Sequence, residues 1–166
     1  MNLKFGAWSL KLTAILLLLA SSCGKNIDYL GIIMTFNESP DERFAQSMEY
    51  NREHGYDTVY VAQDDYKVYT MSDIHVDFST VNLDRYVSDY LADSVAAPFS
   101  LCLGDLINAT GHYDYFLDHV KPVTEAGRKI YYTVGNHDLY FDQWKEYFSK
   151  FGSSTYWFEV HTAGGG

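Results

Sequence analysis

A chain of 166 residues, 47% hydrophobic and 17% aromatic, carries enough apolar side chain for one packed domain, which excludes a disordered polar segment. Its formal net charge of −10, from 12 basic and 22 acidic residues, leaves no basic patch for nucleic-acid binding and is compatible with holding divalent cations. The two cysteines, Cys23 and Cys102, cannot make a disulfide framework.

Residues 1–22 contain Lys4 and Lys11, an apolar run from Thr13 to Ala20, and Ser21-Ser22 directly before Cys23. A basic start, an apolar core too short to span a membrane and small residues at its end read as an export signal. The junction resembles the lipobox of bacterial lipoproteins, with Ala20 where leucine is usual. That resemblance implies that Cys23 is lipidated and becomes the first mature residue, so the protein is expected in the cell envelope, anchored to a membrane by its lipid.

Residues 23–65 read as an N-terminal tether and a helix. Ser39 as cap, Pro40 at the first helical position and Asp41-Glu42 in the first turn start a helix that runs to about His54 and stops at Gly55. Thr58–Ala62 and Tyr66–Met71 are strand-like runs, joined by Gln63-Asp64-Asp65 as a hairpin turn. Leu83, Tyr86, Val87, Tyr90 and Leu91 follow at helical spacing, with Asn82 as cap and Pro98 beyond the end. After the strand Phe99–Leu103, in which Cys102 is a core residue, a second stripe of Tyr113, Phe116, Leu117, Val120 and Val123 is closed by Gly127, with a kink expected at Pro122. Ile130–Val134 is the next strand. Phe141–Phe151 then reads as a helix with Trp144, Tyr147 and Phe148 inward, and Tyr156–Val160 as a last strand. Strand, helix, strand, helix, strand from Lys67 to Val134 is the order of right-handed parallel crossover units, which makes the fold class α/β.

Three of these strands end in oxygen and imidazole side chains. Lys67–Met71 runs into Ser72-Asp73-Ile74-His75, Phe99–Leu103 into Gly104-Asp105-Leu106-Ile107-Asn108, and Ile130–Val134 into Gly135-Asn136-His137-Asp138. Ligands of open α/β sheets bind outside the carboxyl ends of strands, so the three ends can converge on one crevice. Carboxylate, amide oxygen and imidazole are the ligand types of hydrolytic divalent-metal sites, and manganese, iron and zinc all accept that mixture.

The three motifs, D-x-H, G-D-x-x-[ND] and G-N-H-[DE], each after a strand, resemble the calcineurin-like metallophosphoesterase family over about Tyr66–Val160. The resemblance implies an α/β/β/α sandwich and two divalent metal ions. Asp73 and His75 would hold one ion, Asp105 would bridge, and Asn136 would give its side-chain oxygen to the other. His137 would face the phosphoester substrate and stabilise or protonate its leaving oxygen, oriented by Asp138; Asn108 would stand near the metals. His54, His112 and His119 are not expected as ligands, and His161 is read as structural. The later metal-binding histidine and the Gly-His-x-His of the family do not follow, so 66–166 is expected to be a C-terminally incomplete domain holding mainly the first half of the sheet–helix units. The second sheet, in the family built largely from later sequence, is expected to be missing, leaving one face of the first bare.

The functional expectation is a metal-dependent hydrolase of phosphomonoesters or phosphodiesters at the cell envelope. The alternatives are a non-catalytic envelope lipoprotein or an inactive fragment used for binding, and an aromatic-rich glycan-binding module, which would explain fifteen tyrosines.

Overall fold

The computed structural model describes residues 38–77, 79–93, 97–108 and 112–165. The leader and Cys23 lie outside the described residues. Helix α1 spans Pro40–His54, and both its ends follow the sequence. Ser39 Oγ accepts the Glu42 N–H at 3.3 Å while Glu42 Oε2 accepts the Ser39 N–H at 2.7 Å, and Gly55 ends the helix at φ 76°. Only Ser47 and Asn51 of α1 are buried, so it docks through polar contacts more than through an apolar stripe. Asn51 Nδ2 donates to the Thr155 carbonyl at 2.7 Å, and Gln46 Oε1 accepts from the Trp144 indole at 2.7 Å.

The first sheet has the order β2 (Tyr69–Met71), β3 (Phe99–Cys102), β4 (Lys129–Tyr132), all parallel, with Met71 opposite Cys102 and Cys102 opposite Tyr132. Its crossovers are helix α2 (Val81–Ala92) and helix α3 (Tyr113–Glu125), which continues through Pro122. Thr80, not Asn82, occupies the N-cap position of α2. Alternation along the strands sorts the two faces. Cys102, Tyr132 and Met71 join Leu83, Tyr90, Phe116 and Val120 in the main core, completed by Trp144 and Tyr147 of α4 (Trp144–Phe151). Cys102 is fully buried there, and burial pushes its thiol far above the usual range, as suits a core residue.

Two expectations fail on the other face. The hairpin between β1 (Asp57–Val61) and β2 does not form: β1 pairs in parallel with β5 (Phe158–Thr162), with Asp57 opposite Phe158 and Val61 opposite Thr162. Gln63-Asp64-Asp65 lacks the glycine or asparagine that a tight hairpin turn favours, and each strand has a parallel partner elsewhere. Nor is that face bare. The β1–β5 pair packs on it, the Phe158 ring stacking on Tyr131 at 4.0 Å between centroids and meeting Phe99 edge-on at 5.2 Å. Lys129 Nζ and the Tyr131 hydroxyl both donate to Asp57, each at 2.7 Å, so the two sheets are also joined by polar contacts. Two crossover helices, a three-stranded sheet and a two-stranded sheet thus form successive layers, and β1 belongs to the sandwich instead of to a tether.

Candidate metal centre

The three motif loops leave adjacent parallel strands at the same end and are stitched by backbone hydrogen bonds. The N–H of Asp73 donates to the Gly104 carbonyl at 3.2 Å, that of His75 to the Asp105 carbonyl at 3.1 Å, and that of Thr133 to the Cys102 carbonyl at 2.9 Å. Asp73, His75 and Asp105 have φ of 53°, 44° and 53°, left-handed values that non-glycine residues rarely adopt and that concentrate at functional sites. Gly104, at φ 88°, passes so close to the next loop that a Cβ there would stand 2.5 Å from the Gly135 nitrogen. A Cβ on Gly135 would in turn collide with the Asp105 carboxylate. Glycine at both positions lets the loops close on each other.

Within this frame His75, Asp105 and His137 each bring a ligand atom within 4.8 Å of the others. The two imidazoles meet edge to face at 4.4 Å, and Asp105 Oδ1 accepts the His137 backbone N–H at 2.8 Å. His137 Nδ1 is buried with no hydrogen-bond partner among the described residues. A buried imidazole nitrogen in that state, beside a carboxylate and a second imidazole, fits a divalent cation: the cation would supply the missing partner, and the donor set suits manganese, iron or zinc.

The other motif residues are placed differently. Asp73 is exposed on the edge strand's loop and lies outside the group of three. Asn136 is exposed, and its Nδ2 donates to the Tyr140 hydroxyl at 2.8 Å. Asp138 does not orient His137 through Nδ1. It is completely buried and its carboxylate accepts three backbone N–H groups, from Asp105 at 2.8 Å, Gly135 at 2.9 Å and Leu106 at 3.0 Å. Burial pushes its acid up to about 6; the N–H groups of Gly135, Leu106 and Asp105 oppose the rise and the Asp105 charge adds to it. Asp138 therefore shapes the site by holding one loop to the other. Its backbone carbonyl accepts from the Tyr113 hydroxyl at 3.1 Å, which ties the start of α3 to the same point.

Sequence reasoning missed Tyr113, Tyr140 and Asp77. Asp77 accepts the Asn108 N–H at 2.7 Å and pairs with His112. Its position two residues after His75 was the available signal. In the sequence Tyr113 is one member of an apolar stripe, and Tyr140 belongs to no motif. His161 is not in the group: its Nε2 contacts Glu159 Oε2 at 2.9 Å.

None of the motif residues lines the cavity of about 170 Å³ formed by Tyr50, Tyr56, Tyr131, Tyr156, Trp157 and their neighbours. Its polar groups serve the fold, Tyr156 donating to the Tyr132 carbonyl at 2.7 Å and Asn51 to Thr155. Tyr90, Tyr113 and Tyr147 are core residues, so much of the tyrosine content has a structural use.

The family model that describes the calcineurin-like phosphoesterases matches residues 66–164, more than half of the chain. No curated protein and no solved structure matches it significantly.

Proposed function

The chain belongs to the calcineurin-like phosphoesterase family, and from that premise we propose that it hydrolyses phosphomonoesters or phosphodiesters with two divalent metal ions. The observation that carries this reading is the gathering of His75, Asp105 and His137 at the ends of neighbouring parallel strands. Asp73 and His75 would hold one ion, Asp105 would serve both, and Asn136 would give an amide oxygen to the second. Bound there, the ions would polarise the phosphoryl group and stabilise charge on its attacking and leaving oxygens. Asp105, fixed by its bond from the His137 N–H, keeps a carboxylate at the centre of the group, and Asp138 holds the loop that presents it. Water would be the nucleophile, and His137 would deliver a proton to the leaving oxygen.

A second reading of His137 is favoured by its place in the group of three: it is a metal donor itself. Chelator treatment and His137→Ala separate these. On the proton-donor reading, turnover of an aryl phosphate ester is abolished by chelator, while His137→Ala keeps the metal and loses about 10²–10⁴-fold in rate. Metal loss equal to that of Asn136→Ala would make it a ligand, and hydrolysis indifferent to chelator would end the metal mechanism.

The envelope location belongs to the same proposal and is supported by Ala20-Ser21-Ser22-Cys23 after the apolar run. Cys23→Ser should release the protein from the membrane fraction and stop fatty-acid incorporation; unchanged fractionation and labelling would refute the anchor.

A further inference from the structure

An amide ligand has a problem that a carboxylate does not. Its two ends are nearly the same shape, but only the oxygen can bind a cation, while the NH₂ end repels one. Something must fix which end faces the metal. We propose that Tyr140 is the residue that does so, a positioning residue that keeps the Asn136 oxygen directed at the second metal; the inference rests on the metal reading above.

The Asn136 Nδ2 donates to the Tyr140 hydroxyl at 2.8 Å, which commits the nitrogen to the protein and leaves Oδ1 on the opposite side of the amide carbon. The ring that carries the hydroxyl is packed in place: Tyr140 is only 5% exposed and its ring lies 4.6 Å from the His137 ring. The backbone is shaped to allow this. His137–Asp142 is not one continuous 3-10 turn: two short pieces meet at a kink at Tyr140 and Phe141. Asn136, at φ −73° and ψ −34°, and the residues up to Leu139 keep helical geometry, as does the φ of −66° at Tyr140, so one helical turn brings the Tyr140 side chain to Asn136. Only then does the chain leave the helix, with ψ 147° at Tyr140 and left-handed Phe141 and Asp142 at φ 53° and 65°. Two consecutive non-glycine residues in that region are costly and persist where surrounding structure requires them.

The test is calorimetric titration of the full chain with manganese(II) in the wild type, Tyr140→Phe, Asn136→Asp and the double variant. Tyr140→Phe keeps the ring and removes the hydroxyl. It should weaken the weaker manganese-binding event about 10–100-fold, the usual range for outer-shell partners, with little change in thermal unfolding. In the Asn136→Asp background the same change should alter affinity less than about twofold, because a carboxylate presents oxygen whichever way it turns. An unchanged isotherm for Tyr140→Phe, or an equal loss in both backgrounds, overturns the positioning role and leaves the metal site standing. A wild type that binds no manganese overturns both. Hydrogen exchange of the wild-type Asn136 side-chain amide needs no variant: protection is expected, and exchange as fast as that of a free amide contradicts the proposal.

Discussion

The carboxylate of Asp138 receives the backbone N–H of Asp105 at 2.8 Å across 33 positions of sequence, and this bond joins the loop after β3 to the loop after β4. Its two oxygens divide the remaining work. Oδ2 also takes the Gly135 N–H, and Oδ1 takes that of Leu106 and lies 3.4 Å from the Tyr113 hydroxyl. Every one of those donors needs an acceptor, so an amide in place of the acid would turn an NH₂ group toward at least one of them. Asp138→Asn is therefore expected to destabilise the fold by about 1–3 kcal/mol, the cost of an unsatisfied buried donor, with the loss visible in urea unfolding. A variant that unfolds like the wild type but turns over slowly would restore Asp138 to the role of orienting His137.

Gly104 carries the second contact between the same loops. Gly104→Ala must place a side chain at φ 88° and against the Gly135 nitrogen, which backbone movement alone can relieve. The left-handed geometry costs about 1–2 kcal/mol and the collision adds to it. Lower stability together with weaker manganese binding is the expected result, since the movement displaces Asp105; wild-type values in both would show that the loops tolerate separation. Gly127→Ala, with φ 73° and open space around it, is the control for backbone strain without collision.

The sheet-to-sheet contact should respond to pH through Asp57. Burial raises its acid, but bonds from Lys129, Tyr131 and Thr58 outweigh that and leave it below the usual carboxylate range. A folded-state value below the unfolded one stabilises the fold above the unfolded value, and the contribution is lost as pH falls through the folded one. Asp57 is 44% exposed in its side chain, so solvent screening limits the pair to about 1 kcal/mol or less. Asp57→Asn should lower stability near neutrality and flatten the acid limb of the stability curve. The same pH dependence in both proteins would place the acid sensitivity elsewhere.

Much of the site's position could be read before the fold was known, because Asp73-x-His75, Gly104-Asp105 and Gly135-Asn136-His137-Asp138 each end a strand of a parallel crossover series. Helix α1 was legible for a similar local reason: Ser39, Pro40, Glu42 and Gly55 state its ends. What could not be read was non-local. Strand character in β1 says nothing of its partner, and the pairing of Asp57 with Phe158 joins segments about a hundred residues apart. Asp138 follows a histidine, as an orienting acid would; only the approach of Asp105, Leu106 and Gly135 shows that it binds backbone instead. Tyr140 meets Asn136 within one turn, just before the chain breaks from helical geometry, a contact that no motif announces.

The most direct test of the metal centre is manganese(II) binding measured together with aryl phosphate turnover, in the wild type and in Asp105→Asn. Asp105 is the carboxylate in the group with His75 and His137, so losing its charge should abolish tight binding and turnover together while the protein stays folded. A folded Asp105→Asn that binds manganese and hydrolyses the ester as the wild type does would contradict the account.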